Sequence, residues 1–300
     1  MIANQVVVDQ NLLELVPYKN PDFPLERFID QFDLFADGAF LCHWHPEFEM
    51  AIVLQGCVEY HLDQQSFVLH PGEGLLIGAK TLHHARQLVP NTEVFNIVYS
   101  PMLIHAAYAS PIYQTFVEPV VRGKHIGYRI TDNTSHGHQI LQGLMRIYQA
   151  DENAFGYELF CMEVLLSIWR NNLLLIEAER PNTSNSDDFI REHRMRKMLA
   201  YIQVHFQEAI TVEEIATAAS ISRSECFRCF SLFCNTAPME HVNRTRLEHA
   251  AQRLIDSHES ITDICFSSGF SSISYFGKAF RKAYGYAPSD YRKRSKEQGL

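Results

Sequence analysis

From Phe28 to about Tyr99 the apolar residues come in short runs. Glu49–Gln55 and Val58–Leu62, rich in Val, Ile, Tyr and Phe, lie between turn signals at Ala36–Gly38, Gln55-Gly56, Asp63–Gln65, Pro71–Gly74 and Gly78–Lys80. Closely spaced short strands with no helix between them predict a small barrel or sandwich. Pro111 to Thr134 is less regular. The period then lengthens, and Gly137–Gln149 and Phe155–Glu177 read as two helices. The second sets Leu159, Met162, Leu165, Leu166, Trp169, Leu173 and Ile176 along one side. Such a stripe suits packing onto the barrel and a dimer seam equally well. Arg180–Asp188, polar and without aliphatic residues, reads as a linker. The chain therefore divides into 1–180, a linker over 181–189, and a helical region over 190–300.

The helical region repeats itself. Ile215 matches Ile264 at an offset of 49, and one extra residue in the second turn makes the offset 50 thereafter. Ser224 then falls on Ser274, Cys226 on Phe276, Arg228 on Lys278, Phe230 on Phe280, Asn235 on Gly285 and Pro238 on Pro288. A shared period with shared chemistry marks two copies of one supersecondary unit. Each copy has a short helix (Val212–Ala219, Ile261–Ser268) and a tight turn at Ser220 or Gly269. A serine cap follows, Ser222 in the first copy and Ser271 or Ser272 in the second. The second helix of each copy, Arg223–Phe233 or Ile273–Tyr284, ends at Asn235 or Gly285, residues suited to a left-handed terminus. Pro238 and Pro288 open the next helices. Two helices about a three- or four-residue turn define a helix-turn-helix. About Pro238–Ser257 forms a long helix that spaces the two units.

Charge changes the picture. The chain carries a net −9, which by itself argues against a nucleic-acid partner. Residues 187–300, however, hold 16 Lys and Arg against 14 Asp and Glu, while residues 1–186 hold 10 against 21. Between Lys278 and Lys296 seven basic residues face one acid, Asp290. That is a local footprint for phosphate, whereas the acidic half would be repelled by it.

The segment ITDICFSSGFSSISYFGKAFRKAYGYAPSDYRK resembles the signature of the AraC family of transcription regulators, and the resemblance covers about 190–295. It implies two recognition helices entering adjacent major-groove segments of double-stranded promoter DNA. By family position the base readers would be Ser224, Phe227 and Arg228 in the first unit and Ile273, Ser274, Gly277 and Lys278 in the second. Arg228 and Lys278 have the donors that pair with guanine. Phe227 stands where the family is commonly polar, Gly277 offers no side chain, and Asn235 replaces the usual glycine. Arg281, Lys282 and Arg292 are expected on phosphates, which position without specifying.

The stretch His43-Trp44-His45-Pro46-Glu47-Phe48-Glu49 followed by Gly56 reads H-x-H-x3-E-x6-G, and Pro71–Gly74 leads on to His83. This resembles the two motifs of the cupin barrel, although Gly38 sits one residue nearer His43 than the enzyme motif places it. Even spacing puts His43, His45 and Glu49 on one face of an extended strand. Three readings compete: residues that satisfy one another, a metal-free pocket for a small effector such as a sugar, and a divalent metal site of His43, His45, Glu49 and His83. The resemblance favours the effector pocket, without a resident cofactor. Trp44 and Tyr60 offer faces to a ring-shaped ligand and serve equally as core.

Cys226, Cys229 and Cys234 crowd the first recognition helix in no standard zinc spacing, and read as buried small hydrophobes. His136 and His138 fall outside the motif and receive no role. Seven irregularly placed cysteines form no disulfide framework. No uninterrupted apolar stretch reaches membrane-spanning length, and no secretory leader opens the sequence. The expectation is a two-domain α+β chain, a cupin-like barrel and helices followed by a tandem helix-turn-helix. Its role would be a cytoplasmic, dimeric regulator, an activator contacting RNA polymerase on family grounds, with no membrane partner and no enzyme activity. The rival is a metal-dependent cupin enzyme or metal sensor with a DNA-binding tail.

Overall fold

The computed structural model describes residues 2–3, 6, 8–9, 12–63, 65–104, 111–122, 127–178 and 186–298. Two sheets form the N-terminal domain. One has the order β1 (Ile2–Ala3), β2 (Leu25–Gln31), β8 (Glu93–Tyr99), β3 (Phe48–Gln55), β6 (Gly74–Ile77), β9 (Gly127–Ile130). The other has β5 (Gln65–Leu69), β4 (Val58–Leu62), β7 (His83–Gln87). Among the named strands, β1 and β2 pair in parallel and the other pairings are antiparallel.

Strand alternation sorts the side chains of the large sheet. Phe48, Met50 and Ile52 of β3 face outward, together with Phe95, Ile97 and Tyr99 of β8. They pack under α3 (Ser135–Gln149) and α4 (Tyr157–Ala178), the two expected helices. Ala51, Val53, Leu75, Ile77 and Val94 turn inward and meet Val58, Tyr60, Leu62 and Ala85 of the small sheet. Glu49 shares the inward parity and is buried among them. The irregular stretch 111–122 holds two short helices, α1 (Pro111–Phe116) and α2 (Glu118–Arg122), where no helix was expected.

The stripe expected along α4 is only half right. Leu165, Trp169 and Ile176 are buried with Cys161, Val164 and Ile168, whereas Leu159 is 77% exposed and Leu166 44%. The buried row therefore packs on the sheet and a second apolar row stays open. Tyr157–Glu177 is long and apolar enough to cross a membrane by length and composition. Its inner row lies in the core under the sheet, as in the core helix of a folded domain.

The linker expected over 181–189 is shorter than that. Helix α5 (Ser186–His205) already contains residues 186–189, since Ser-Asp-Asp opens a helix as readily as a loop. Residues 181–185 lie outside the described part. Then come α6 (Val212–Ala218), α7 (Arg223–Cys234), α8 (Pro238–Asp256), α9 (Ile261–Ser267), α10 (Ile273–Tyr284) and α11 (Pro288–Gln298). Ser222 and Ser272 cap α7 and α10, each accepting from the amide three residues on. Asn235 (φ 48°) and Gly285 (φ 78°) close the same helices in the left-handed region. The turn residues Ser220 (φ 54°) and Gly269 (φ 84°) are left-handed too. At Gly269 a Cβ would come within 2.5 Å of the Phe206 carbonyl, so a glycine is needed.

Each unit has its own core. Ile215, Cys226, Phe230 and Phe233 centre the first, and Ile264, Phe270, Phe276 and Phe280 the second. Arg246 on α8 donates to the carbonyls of Phe206 and Glu208 at 2.6 and 2.7 Å, which ties the end of α5 to the spacing helix.

The two domains pack together. Leu12, Cys42 and Leu82 of the barrel are buried in the core of the first unit. A small cavity separates Phe35, Phe40 and Leu41 from Glu248, Tyr284 and Tyr291. Burial there pushes the Glu248 carboxyl up to about 8 against the attraction of Arg244, and its Oε1 has no hydrogen-bond partner. A carboxyl that binds its proton more tightly when docked stabilises docking fully below the free value near 4.5. That contribution is lost as pH rises from there to about 8. His84, buried among His61, Arg244 and His241, is held well below its usual value, so its contribution is lost in the opposite direction, as pH falls through the free histidine range. Glu248→Gln should flatten the decline in thermal midpoint between pH 5 and 8 and leave the acid limb unchanged. An unaltered alkaline slope would remove Glu248 from the account.

Candidate nucleic-acid interface and barrel site

On α7, Ser224, Phe227 and Arg228 are exposed, while Cys226, Cys229 and Phe230 turn inward. On α10, Ile273, Ser274 and Lys278 are exposed, and Phe276 and Phe280 are buried. The 3.6-residue period thus separates the expected readers from the core in both units. Arg228 pairs with Glu225 at 2.8 Å, a carboxylate that Arg194 also approaches at 3.9 Å. The Arg228 side chain is 59% exposed, so this pair is easily exchanged for a better acceptor. Phe227 is 39% exposed beneath the Arg223 guanidinium, 5.8 Å from ring centre. A Cβ on Gly277 would meet nothing within 4 Å, so that position leaves an open gap in the second reading face.

Arg281 and Lys282 are exposed, as phosphate contact requires. Arg292 is not. Its Nε donates to the Leu254 carbonyl at 3.2 Å, so it caps the last turn of α8 and pins α11, and the expected phosphate role is corrected to an internal one. Tyr275, 52% exposed on α10, accepts a bond from Asn243 Nδ2 at 3.3 Å; sequence position alone gave it no role.

In the barrel, His43, His45, Glu49 and His83 come together as their spacing predicted. Glu49 lies 3.2 Å from both His45 Nε2 and His83 Nε2, and the three rings are 4.2 to 6.0 Å apart. The route differs from the expected strand, however. Glu49 belongs to β3, whereas His43 sits in an isolated bridge with His83 and His45 in an irregular segment before β3.

Trp44 is corrected. It faces away from the cluster, toward the first helix-turn-helix core, with the Arg196 guanidinium 4.9 Å from its ring centre. Tyr60 is fully buried in the barrel interior, its hydroxyl 3.5 Å from Asn96. Asn96 also donates to Asp30, whose carboxyl is pushed up by burial.

Sequence reasoning missed Glu14, 29 residues upstream of His43 on an irregular arm. Its amide bonds to the Trp44 carbonyl, and its carboxyl lies 3.5 Å from His43 Nε2 and 3.9 Å from His45 Nε2. Burial and the nearby Glu49 push it up to about 8, so it keeps a proton near neutrality. With the arm in place the cluster is closed: His45 and His83 are 1% exposed and His43 is 3%.

The hydrogen bonds define the chemistry. His43, His45 and His83 each present Nδ1 to a backbone carbonyl, of Leu41, Glu47 and Thr81, at 2.9, 3.3 and 2.9 Å. A carbonyl only accepts, so Nδ1 carries the proton and a neutral ring turns its Nε2 lone pair inward. Lone pairs facing the Glu49 carboxylate at 3.2 Å require positive charge between them. Imidazolium protons or a bound cation supply it equally. His83 Nε2 makes no well-directed hydrogen bond despite that distance. Burial pushes Glu49 up, yet the bond from His45 and the attraction of the His45 and His83 rings beside it outweigh that and hold the carboxyl below its usual range. Three imidazole nitrogens within 4.8 Å of one another, each oriented by a carbonyl, with a carboxylate beside them, fit a divalent transition metal.

Two exposed helix faces carried on one spacing helix, beside a barrel with its own buried polar site, suit a protein with separate DNA-binding and sensing parts. Comparison with known families agrees. Residues 215–294 match a helix-turn-helix domain and residues 34–90 a cupin domain. An uncharacterized HTH-type transcriptional regulator of Bacillus subtilis, YdeC, is 28% identical over 96% of this chain and 98% of its own length. The HTH-type transcriptional activator RhaS of Escherichia fergusonii is 26% identical over 85% of this chain and 88% of its own. The melibiose operon regulatory protein of Escherichia coli is 23% identical over 85% and 84%. With an AraC-type helix-turn-helix domain and a cupin-like N-terminal domain, the chain is similar to AraC-family transcription regulators. Relatives and architecture alike are those of a regulator, not of an enzyme.

Proposed function

We propose that the chain is a cytoplasmic, homodimeric regulator that activates transcription in response to a small effector admitted to the barrel. The observation that carries the DNA half is the pair of exposed reading faces on α7 and α10 over buried cores. Ser224, Phe227, Arg228, Ile273, Ser274 and Lys278 would read base edges, while Arg281 and Lys282 would hold phosphates. A gap at Gly277 makes the second unit depend on Lys278, Ser274 and the methyl groups of Ile273. Arg228→Ala and Lys278→Ala should each weaken specific binding by about 1–3 kcal/mol and leave non-specific binding nearly intact. Equal losses on specific and random DNA would demote both to phosphate contacts.

For the effector, the melibiose operon regulator among the relatives supports a sugar. The Glu14 arm closes the site, so admission of a ligand and docking of the arm compete, and a ligand that favours one arrangement shifts the population. A thermal-shift screen of sugars and small acids tests this through stabilisation of the folded state. The converging Nε2 lone pairs favour a second reading: His43, His45, His83 and Glu49 hold a divalent cation, which would supply a Lewis-acid anchor for the effector's oxygens. The open row of α4, with Leu159 and Leu166, supports the dimer. The division into a sensing domain to about 180 and a DNA-binding domain beyond the linker completes the reading.

A further inference from the structure

We propose that Arg196 is the latch by which the first helix-turn-helix unit holds the wall of the histidine cluster. Resting on the reading of the barrel as a sensor, this supplies the route from that site to the DNA-binding half. Arg196 is half-buried on α5, the helix that lends Met195, Met198 and Leu199 to the hydrophobic cluster containing Leu12, Cys42 and Leu82 of the barrel. Its guanidinium reaches the barrel wall at Trp44 and Lys80. The guanidinium carbon lies 4.9 Å from the Trp44 ring centre, and Nη2 donates to the Lys80 carbonyl at 2.5 Å. A planar guanidinium stacks by its face and donates from its edge at once, which an ammonium does not.

Both points adjoin the cluster. Trp44 stands between His43 and His45 in the chain. Lys80 donates its amide to the His45 carbonyl at 2.7 Å, while its own carbonyl faces Arg196. It does so in the left-handed region (φ 64°), uncommon for a residue with a side chain, so its neighbours hold the turn in place. Next to it, Thr81 offers the carbonyl that orients the His83 ring. One side chain of the DNA-binding part thus grips both backbone stretches that carry the three imidazoles.

The consequence is mechanical. A ligand that displaces either stretch breaks the stacking or the hydrogen bond and loosens α5 from the barrel. Coupling is reciprocal, so an α5 drawn away from the barrel also loosens the cluster. The reading residues of α7 and α10 are exposed with the latch closed. What the latch sets is therefore the placement of the first unit against the barrel, not access to its reading face.

The test is amide hydrogen exchange on the full chain without added ligand, in the unsubstituted protein and in Arg196→Ala, Arg196→Lys and Lys197→Ala. Exchange in peptides spanning 42–45 and 79–83 should quicken roughly tenfold in Arg196→Ala, as expected when a cation–π contact and a charged hydrogen bond are lost together. Arg196→Lys keeps the charge without the two-point grip and should fall between, which keeps the test decisive where the alanine variant folds poorly. Lys197→Ala, exposed on the same helix, should leave both peptides unchanged. Acrylamide quenching gives a second readout. Of the two tryptophans, Trp169 is 3% exposed, so increased quenching in Arg196→Ala reports Trp44. Faster exchange confined to α5 would overturn the latch, and so would unchanged exchange at 42–45 and 79–83. A Lys197→Ala effect equal to that of Arg196→Ala would do the same. These readouts need no ligand, so the latch falls by them alone, and the sensing reading by the thermal-shift screen alone.

Discussion

Replacing Phe280 by alanine should destabilise the second helix-turn-helix unit by about 3–5 kcal/mol, the range for truncating a fully buried aromatic residue. Phe280 is 0% exposed, and its ring lies 5.6, 4.6 and 5.3 Å from those of Phe276, Tyr284 and Tyr291. Truncation would leave a cavity where α8, α10 and α11 meet, in a core too small to collapse around it. Specific DNA binding should be lost without any change to a reading residue. Denaturant unfolding followed by circular dichroism checks this. A cost under about 1 kcal/mol would mean that α10 is held by contacts other than this aromatic group.

Glu49→Ala should produce the complementary phenotype. It removes the carboxylate shared by His45 and His83, each 3.2 Å away in a buried site. Breaking a buried ionic arrangement from one side costs about 3–5 kcal/mol. The loss should fall on the barrel, while the DNA-binding units, with cores of their own, keep their affinity for operator DNA. Metal analysis of the purified protein separates the two origins of the positive charge. Stoichiometric transition metal, lost in Glu49→Ala and in His45→Ala, identifies a bound cation. Metal-free protein with an unchanged Glu49→Ala penalty identifies imidazolium protons and ends the cation reading.

The DNA-binding half was legible in the sequence because its constraints are local. A serine cap, a left-handed residue after α7 or α10 and a proline opening the next helix recur at a fixed offset, and each acts within one turn of helix. Arg292 failed that reasoning for an instructive cause. A basic residue near a basic terminus is expected on phosphate, but α11 folds back on α8 and turns the guanidinium to the Leu254 carbonyl.

The barrel site was half legible. Strand parity places Glu49, and the histidine motif places its neighbours. Glu14 had no motif to announce it, because an irregular arm brings it in through a backbone bond to Trp44. Trp44 was misread for the opposite reason: a residue between two inward histidines faces outward, and here outward means the other domain. Strict alternation, applied to 43–45 as it was to the histidines, would have found this. The α4 stripe likewise mixed two rows, because an apolar helix with both faces occupied loses the contrast that locates its inner face.

The central claim is that two unequal reading helices, held by one rigid spacer, recognise adjacent segments on one face of DNA. Selection of a binding site from random duplexes, followed by hydroxyl-radical footprinting, tests it most directly. The account predicts one site with two protected segments about 10 base pairs apart on the same face. Arg228→Ala should relax the sequence of one segment and Lys278→Ala that of the other. Binding that enriches no sequence, or a single protected segment indifferent to one of the two substitutions, would contradict it.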